Sequence, residues 1–263
     1  MRFRVKHTTV YRYELPVALG KHVLRMHPRP GDSLIVESCE ISIYPRPQGH
    51  ERTLDADGNV IHIVGFEGQT QELRVSFLSC GEMKEHVSSA VMPIHVEEYL
   101  KQEPLHISIR AFFEEIAREA GPNPKTFLEV LNLRLHRIVR STPRQFGEPL
   151  APEITLRMGE GSCRDLAVLF MACCRQHGIP ARFVSGYVEA GSGQQQHMHA
   201  WIEAWQPETG WRGYDPTRGI ETGTQYLAVA AAADYRDAAP LAGSFTGPPT
   251  RSEMTVDLTV EMS

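Results

Sequence analysis

Sulfur, imidazole and carboxylate together can attack an amide carbonyl, and this sequence places one of each within 53 residues: Cys163, His199 and Asp215. A thiol becomes a nucleophile near neutral pH only where its thiolate is stabilised. Ser162-Cys163-Arg164-Asp165 offers such a setting. Ser162 reads as a helix N-cap, and Asp165, three positions on, completes a capping box with Asp in place of the usual Glu. Cys163 therefore falls in a first helical turn, where free N–H groups and the positive dipole end favour an anion. Gly159, Gly161 and Ser162 leave little bulk in front of the sulfur.

The base follows from hairpin arithmetic. If Trp205 and Trp211 flank a tight loop, residues whose numbers sum to about 416 oppose each other, and His199 lies within roughly two residues of facing Asp215. A carboxylate can then hold the imidazole. On that strand His197, His199, Trp201, Glu203 and Trp205 share one face, while Met198, Ala200, Ile202 and Ala204 form an apolar face suited to pack on the cysteine helix. All three tryptophans of the chain fall in this hairpin. Trp201 is expected to line a substrate groove, and Trp205 and Trp211 to serve equally well as core or hairpin partners. Cys173 and Cys174 in the helix interior, and Cys39 and Cys80 in strands, read as small hydrophobes.

The elements that must position these groups are legible in outline. After the capping box, Leu166 to Cys174, apolar on nearly every side and closed by Gly178-Ile179-Pro180, continues as a buried helix. Residues 181–188, 197–205 and 211–216 read as strands of an antiparallel sheet. Ahead of them, apolar spacing of three and four predicts helices over 107–120 and 127–139, and 141–156, with three prolines and a glycine, reads as a loop. Residues 3–83 alternate short runs rich in Val, Ile, Tyr and Thr, such as 8–13, 35–44, 60–66 and 72–78, with Gly and Pro punctuation, as an all-β module does. Asp55–Asn59 is expected to be a hairpin turn and not a calcium loop, since the third ligand and the closing glutamate are missing. Residues 254–262 alternate Met, Val and Leu with Thr, Asp and Glu, a strand with one buried face.

The remaining composition narrows the class. A chain of 263 residues with 41% apolar and 22% charged side chains can bury its own core. The net charge of −5, without single-sign blocks, gives no footprint for nucleic acid. No apolar run reaches the ~20 residues that span a bilayer, and Met1–His7 has no export signal, so the expected address is the cytoplasm, away from membranes. Five cysteines, an odd number, are expected to be free thiols.

Gly161–Asp165, Gly178–Tyr187, His199–Glu203, Gly210-Trp211 and Asp215-Pro216-Thr217 together resemble the transglutaminase-like superfamily, in particular its bacterial branch of cysteine proteases with an N-terminal β domain. The resemblance extends through Asp234–Gly243 and so over almost the whole chain. It implies an α+β fold, an N-terminal β-sandwich-like domain (1–95) followed by a papain-like transglutaminase core (96–263, carrying the C-terminal strand) with helices packed on an antiparallel sheet. Position by position it implies Cys163 as nucleophile, His199 as general base and Asp215 as the group that orients the histidine. Arg164 stands where a glutamine often follows the nucleophile, and Ala232-Ala233 where many relatives have Gly-Arg; both bear on substrate preference.

The expected activity is thiol-dependent acyl transfer from a protein or peptide amide, hydrolysis before cross-linking, with no cofactor or metal; the oligomeric state stays open. Two other classes compete. Zinc could be held by Cys163, His197, His199 and Asp215, because histidines at i and i+2 of a strand point the same way. Alternatively the β module recognises a peptide and the core is a silent scaffold. The loop-rich stretch near 90–105 is expected to divide the modules, unless the terminal strand pairs with the N-terminal sheet and ties them together.

Overall fold

The computed structural model describes residues 1–31, 33–84, 96–102, 104–189 and 196–263. In chain order the strands and helices are β1 (Arg2–Leu24), β2 (Leu34–Tyr44), β3 (Gly49–Leu54), β4 (Val60–Gly65), β5 (Thr70–Met83), α1 (Val96–Tyr99), α2 (Ile107–Ala120), α3 (Pro124–Ile138) and β6 (Arg140–Ser141). They continue as α4 (Pro152–Met158), β7 (Glu160–Gly161), α5 (Cys163–Gln176), β8 (Ala181–Val188), β9 (His199–Gln206), β10 (Gly210–Asp215), β11 (Ile220–Glu221), β12 (Tyr226–Ala232), β13 (Leu241–Thr246) and β14 (Ser252–Met262). The fold is α+β. None of the described helices is long and apolar enough to cross a membrane.

The N-terminal sheet is antiparallel and built around β1, in the order β2-β5-β1-β4-β3. β1 is far longer than the expected 8–13. Pro16 and Gly20 hide its continuation, and a register shift between Arg12 and Val17 lets the strand bend past them instead of ending. Its first half lies between β5 and β14, its second between β4 and β13. The C-terminal strand is therefore not part of the core, as the division at residue 95 had it. β14 pairs with β1 from Phe3↔Met262 to Tyr13↔Ser252, and its one-sided apolar pattern is satisfied by the N-terminal sheet. Both chain ends tie the modules together. The boundary expected near 90–105 lies partly outside the described residues.

The core sheet runs β11-β10-β9-β8-β12. β8 is buried at every position, which is why its sequence is apolar without alternation. α5 packs Leu166, Leu169, Phe170 and Cys173 against Phe183, Ala200, Ile202 and Ala204, so the expected apolar face of β9 meets the cysteine helix. Met198 departs from that face and packs with the N-terminal cluster. Residues 141–156 are not all loop. Pro152 sits in the first turn of α4, where its missing N–H costs nothing, and Gly159 (φ 64°) closes that helix in the left-handed conformation. β12 escapes sequence reading because alanine dominates it; its outer edge is covered by the N-terminal module. Asn59 exchanges two hydrogen bonds with the Ala231 backbone (3.0 and 2.8 Å), and Arg29 N–H donates to Ala228 O at 2.8 Å. Asp55–Asn59 is the turn between β3 and β4, closed on the Asp55 carboxylate.

Candidate active site

The capping box forms as the sequence implies. The Ser162 N–H donates to Asp165 Oδ2 at 2.6 Å, the Ser162 side chain faces the Asp165 N–H in return, and a backbone bond from Asp165 N–H to the Ser162 carbonyl at 3.0 Å closes the turn. That fixes the first turn of α5 and the sulfur of Cys163, which is partly exposed at the floor of a cleft of about 810 Å³. The hairpin register is the expected one, with Trp211 opposite Trp205, and it brings the start of β9 to the end of β10. His199 Nε2 donates to Asp215 Oδ2 at 2.7 Å, which leaves Nδ1 for Cys163, the other group of the triad at the same cleft.

Asp215 is fully buried, and a buried carboxylate needs its lone pairs filled. Oδ2 accepts from His199 and from the Tyr226 hydroxyl at 2.7 Å; Oδ1 accepts the Thr217 N–H at 2.9 Å and hydroxyl at 2.6 Å. Arg218 Nε lies 3.9 Å from Oδ2. Thr217 belongs to the Asp-Pro-Thr motif, and an Asp two residues before a Thr is an Asx-turn signal that could have assigned its role. Tyr226 had no such signal, since it opens the alanine-rich strand.

The charges reinforce one another. Burial pushes the Cys163 thiol up, but the His199 hydrogen bond and charge, the Arg164 guanidinium and the Ala200 N–H together bring it below its ordinary value. Burial disfavours the His199 cation, yet the bonds to Asp215 and Cys163 outweigh it and hold the imidazole up at about 9. Burial acts against ionised Asp215 too, and His199, Thr217 and Tyr226 reverse it to about 2. A thiolate–imidazolium pair beside an ionised aspartate is the arrangement these values describe, one able to attack a carbonyl and protonate a departing amine.

Trp201 does not line the cleft. It is 1% exposed, lies behind His199 (centroids 6.3 Å) and meets Tyr226 edge-on at 5.3 Å, so it backs the imidazole. Gly186, opposite His199 in β8, makes room for it: a Cβ there would come within 2.5 Å of the Trp201 ring and 2.2 Å of Leu227 O. Trp205 and Trp211 pair at the far end of the hairpin, the second under Arg182 at 4.1 Å. His197 borders the cleft, and among the described residues no group of three or more His, Cys, Asp or Glu is arranged to hold a metal.

Sequence reasoning gave no role to the loop over residues 143–149, which forms one wall. Asp165 Oδ1 accepts from Arg144 at 2.6 Å and from Leu150 N–H at 2.7 Å, and Arg164 Nη2 donates to the carbonyls of Arg144 (2.8 Å) and Phe146 (3.3 Å). The two residues after Cys163 thus hold the wall to the cysteine helix. Opposite, His7, Thr9 and Tyr11 of β1 close the cleft, with His7 hydrogen-bonded to Tyr187 OH at 2.9 Å and held neutral by burial, its pKa down at about 4.

Residues 3–80 match the bacterial transglutaminase-like N-terminal region, and residues 110–216 match the transglutaminase-like superfamily core. An uncharacterized protein of Mycobacterium leprae is 28% identical over 100% of this chain and 98% of that protein. A protein-glutamine gamma-glutamyltransferase of Pseudomonas aeruginosa is 33% identical over 53% of this chain and 23% of that protein. Among solved structures, a candidate cysteine protease from Cytophaga hutchinsonii shares the fold with a TM-score of 0.75, at 18% identity over 100% of this chain and 91% of that chain.

Proposed function

Because the chain belongs to the transglutaminase-like superfamily, we propose that it catalyses thiol-dependent acyl transfer from a peptide or protein amide, through Cys163, His199 and Asp215. The observation that carries this is the His199 imidazole, hydrogen-bonded through Nε2 to buried Asp215 and bordering, with Cys163, one cleft at the first turn of α5. The thiolate attacks the amide carbon, a C–S bond forms and the carbonyl electron pair moves onto oxygen. The first-turn N–H of Cys163 is the donor that receives that charge in this reading. The C–N bond then breaks as His199 passes its proton to the departing amine. Water, deprotonated by His199, cleaves the thioester and releases acid and thiol. Asp215 holds the imidazole in the tautomer and orientation both steps need. Hydrolysis is the first expectation for the acceptor, and a cytoplasmic address the first expectation for the protein.

An amine acceptor is the second reading, favoured by the likeness to the Pseudomonas glutamyltransferase. One experiment addresses both: peptide, isopeptide and glutamine-donor substrates are offered to wild type and Cys163→Ala, with and without a primary amine, and the acyl-enzyme is sought by mass spectrometry. A thioester on Cys163 alone, partitioned between water and amine, is the expected result. Wild type that forms no adduct with any donor defeats the proposal.

A further inference from the structure

The cleft does not end at the core. A second hollow of about 690 Å³ lies against residues 252–256 of β14 and shares Tyr11, Gln145, Phe146, Met254 and Val256 with it, so that one groove runs from Cys163 out along this strand. Among the described residues β14 pairs with β1 alone. The ladder dictates which backbone groups are left over. Ser263 and Arg251 bond Arg2 and Glu14, so odd-numbered residues of β14 face β1 and even-numbered ones turn N–H and C=O to the open edge. At Val260 that outward pair is taken by a carboxamide: Gln196 Nε2 donates to Val260 O at 3.0 Å, and Gln196 Oε1 accepts from Val260 N–H. Met262 N–H reaches Glu189 Oε1 at 3.3 Å. At Met254, Val256 and Leu258 no described residue does the same.

We propose that the β14 edge from Met254 to Leu258 is a substrate-binding strand, to which an extended, unfolded polypeptide adds as a further strand and is led along the groove to Cys163. The proposal rests on the acyl-transfer reading for the cleft itself. Gln196 shows how an amide sits on this edge, and the shared lining shows where the chain leads. An added strand continues the β14 faces at a spacing of about 4.8 Å, alternate side chains lying beside Met254, Val256 and Phe146, the others beside Glu253 and Asp257. A chain alternating apolar with basic or neutral polar residues fits. A second copy of β14 fits poorly, since it would bring Glu253 and Asp257 of one copy towards those of the other.

Val256→Pro tests this. The proline deletes an outward N–H and none of the β1 ladder, as edge strands tolerate. Fluorescein-labelled dimethylcasein, an unfolded chain, is titrated against Cys163→Ala with and without Val256→Pro, near-UV circular dichroism checking the fold. Independently, a ten-residue peptide alternating valine and lysine is compared with its fully N-methylated form on Cys163→Ala. Expected is at least tenfold weaker binding with the proline and with the methylated peptide. Equal binding in either comparison, no casein binding at all, or sedimentation showing that the proline merely splits a dimer overturns the proposal. Should Val256→Pro fail to fold, the peptide comparison decides. Edge-dependent binding without an acyl-enzyme in wild type would defeat the acyl-transfer reading and leave this one standing; an acyl-enzyme from a short donor with edge-independent binding would do the reverse.

Discussion

One helix carries three of the five thiols in two opposite states. At its first turn Cys163 is held below its ordinary pKa; ten residues on, Cys173 is pushed up to about 12 and Cys174 well above its usual value, both by burial. Burial raises all three. What differs is that Cys163 meets an imidazole and a backbone N–H beside the Arg164 guanidinium, whereas the interior pair sits among side chains such as Leu169, Phe170 and Ile202, where the Arg175 charge does not offset burial at Cys174. Reactivity along α5 is thus set by partners and by access, since Cys163 borders the cleft while Cys173 and Cys174 are buried, and not by residue type.

The sharpest way to break that contrast is His199→Ala, which removes both the base and the largest support of the thiolate. Turnover should fall by roughly 10⁶, the scale seen when a base of a comparable triad is deleted. Alkylation of Cys163 by iodoacetamide at pH 7 should slow as well. A variant whose Cys163 still outpaces the other four cysteines by the wild-type margin would show that the helix terminus alone lowers the pKa.

Asp215→Asn ranks next, with a loss of about 10⁴ because an amide can hold the wrong imidazole tautomer. The pH profile of wild type sharpens the same point. The rate should rise on the acid side as the Cys163 thiolate forms, at a pH below that of an ordinary thiol, and fall as His199 loses its proton near 9. Stability carries matching signs. The raised His199 stabilises the fold below its unfolded pKa of 6.5, an effect lost as pH rises through about 9. The depressed Asp215 stabilises it above 3.8, an effect lost as pH falls through about 2. An alkaline limb unchanged in Asp215→Asn would remove the carboxylate from the account.

Tyr226→Phe is a smaller cut at the same network. Losing a hydrogen bond to a buried charge costs about 1.5–3 kcal/mol. Without the hydroxyl the Asp215 carboxyl is easier to protonate, so acid unfolding followed by circular dichroism should begin at higher pH than in wild type, with a drop in turnover of roughly tenfold for each 1.4 kcal/mol felt in the transition state. An unchanged acid limb would mean that Thr217 and His199 suffice to hold Asp215.

How far this arrangement is legible in the sequence depends on the range of the interactions. The capping box at Ser162 and Asp165, helix α2 from Ile107 to Ala120 and strand β8 from Ala181 to Val188 rest on local patterning and agree with the structure residue for residue. The hairpin between Trp205 and Trp211 is also local, so its register followed from loop length. Trp201 went astray because alternation assigns a face without saying what covers it; in the structure Val184, Val188 and Tyr226 do. β14 is legible as a strand with one buried face, grouped with the core by the division at residue 95 or paired with the N-terminal sheet; the choice between the two is not legible, since pairing with β1 across some 250 residues leaves no local trace. The clamp of Arg164 and Asp165 on residues 144–150 is hidden for the same reason.

The smallest expected effect completes the contrast within α5. Cys173→Ser replaces a buried sulfur by a hydroxyl of similar shape in a site lined by apolar side chains. A hydroxyl without a partner there costs roughly 1–3 kcal/mol, although a helical serine can recover part of that by bonding the carbonyl four residues back. The chemical denaturation midpoint should therefore fall while the slope stays constant. Turnover and Cys163 alkylation, measured well below the new midpoint, should remain at wild-type values, because no hydrogen bond of the His199–Asp215 pair involves this sulfur. A loss of activity larger than the loss of folded protein would mean that the interior of α5 does more than support its first turn, and that the two ends of the helix are coupled by packing.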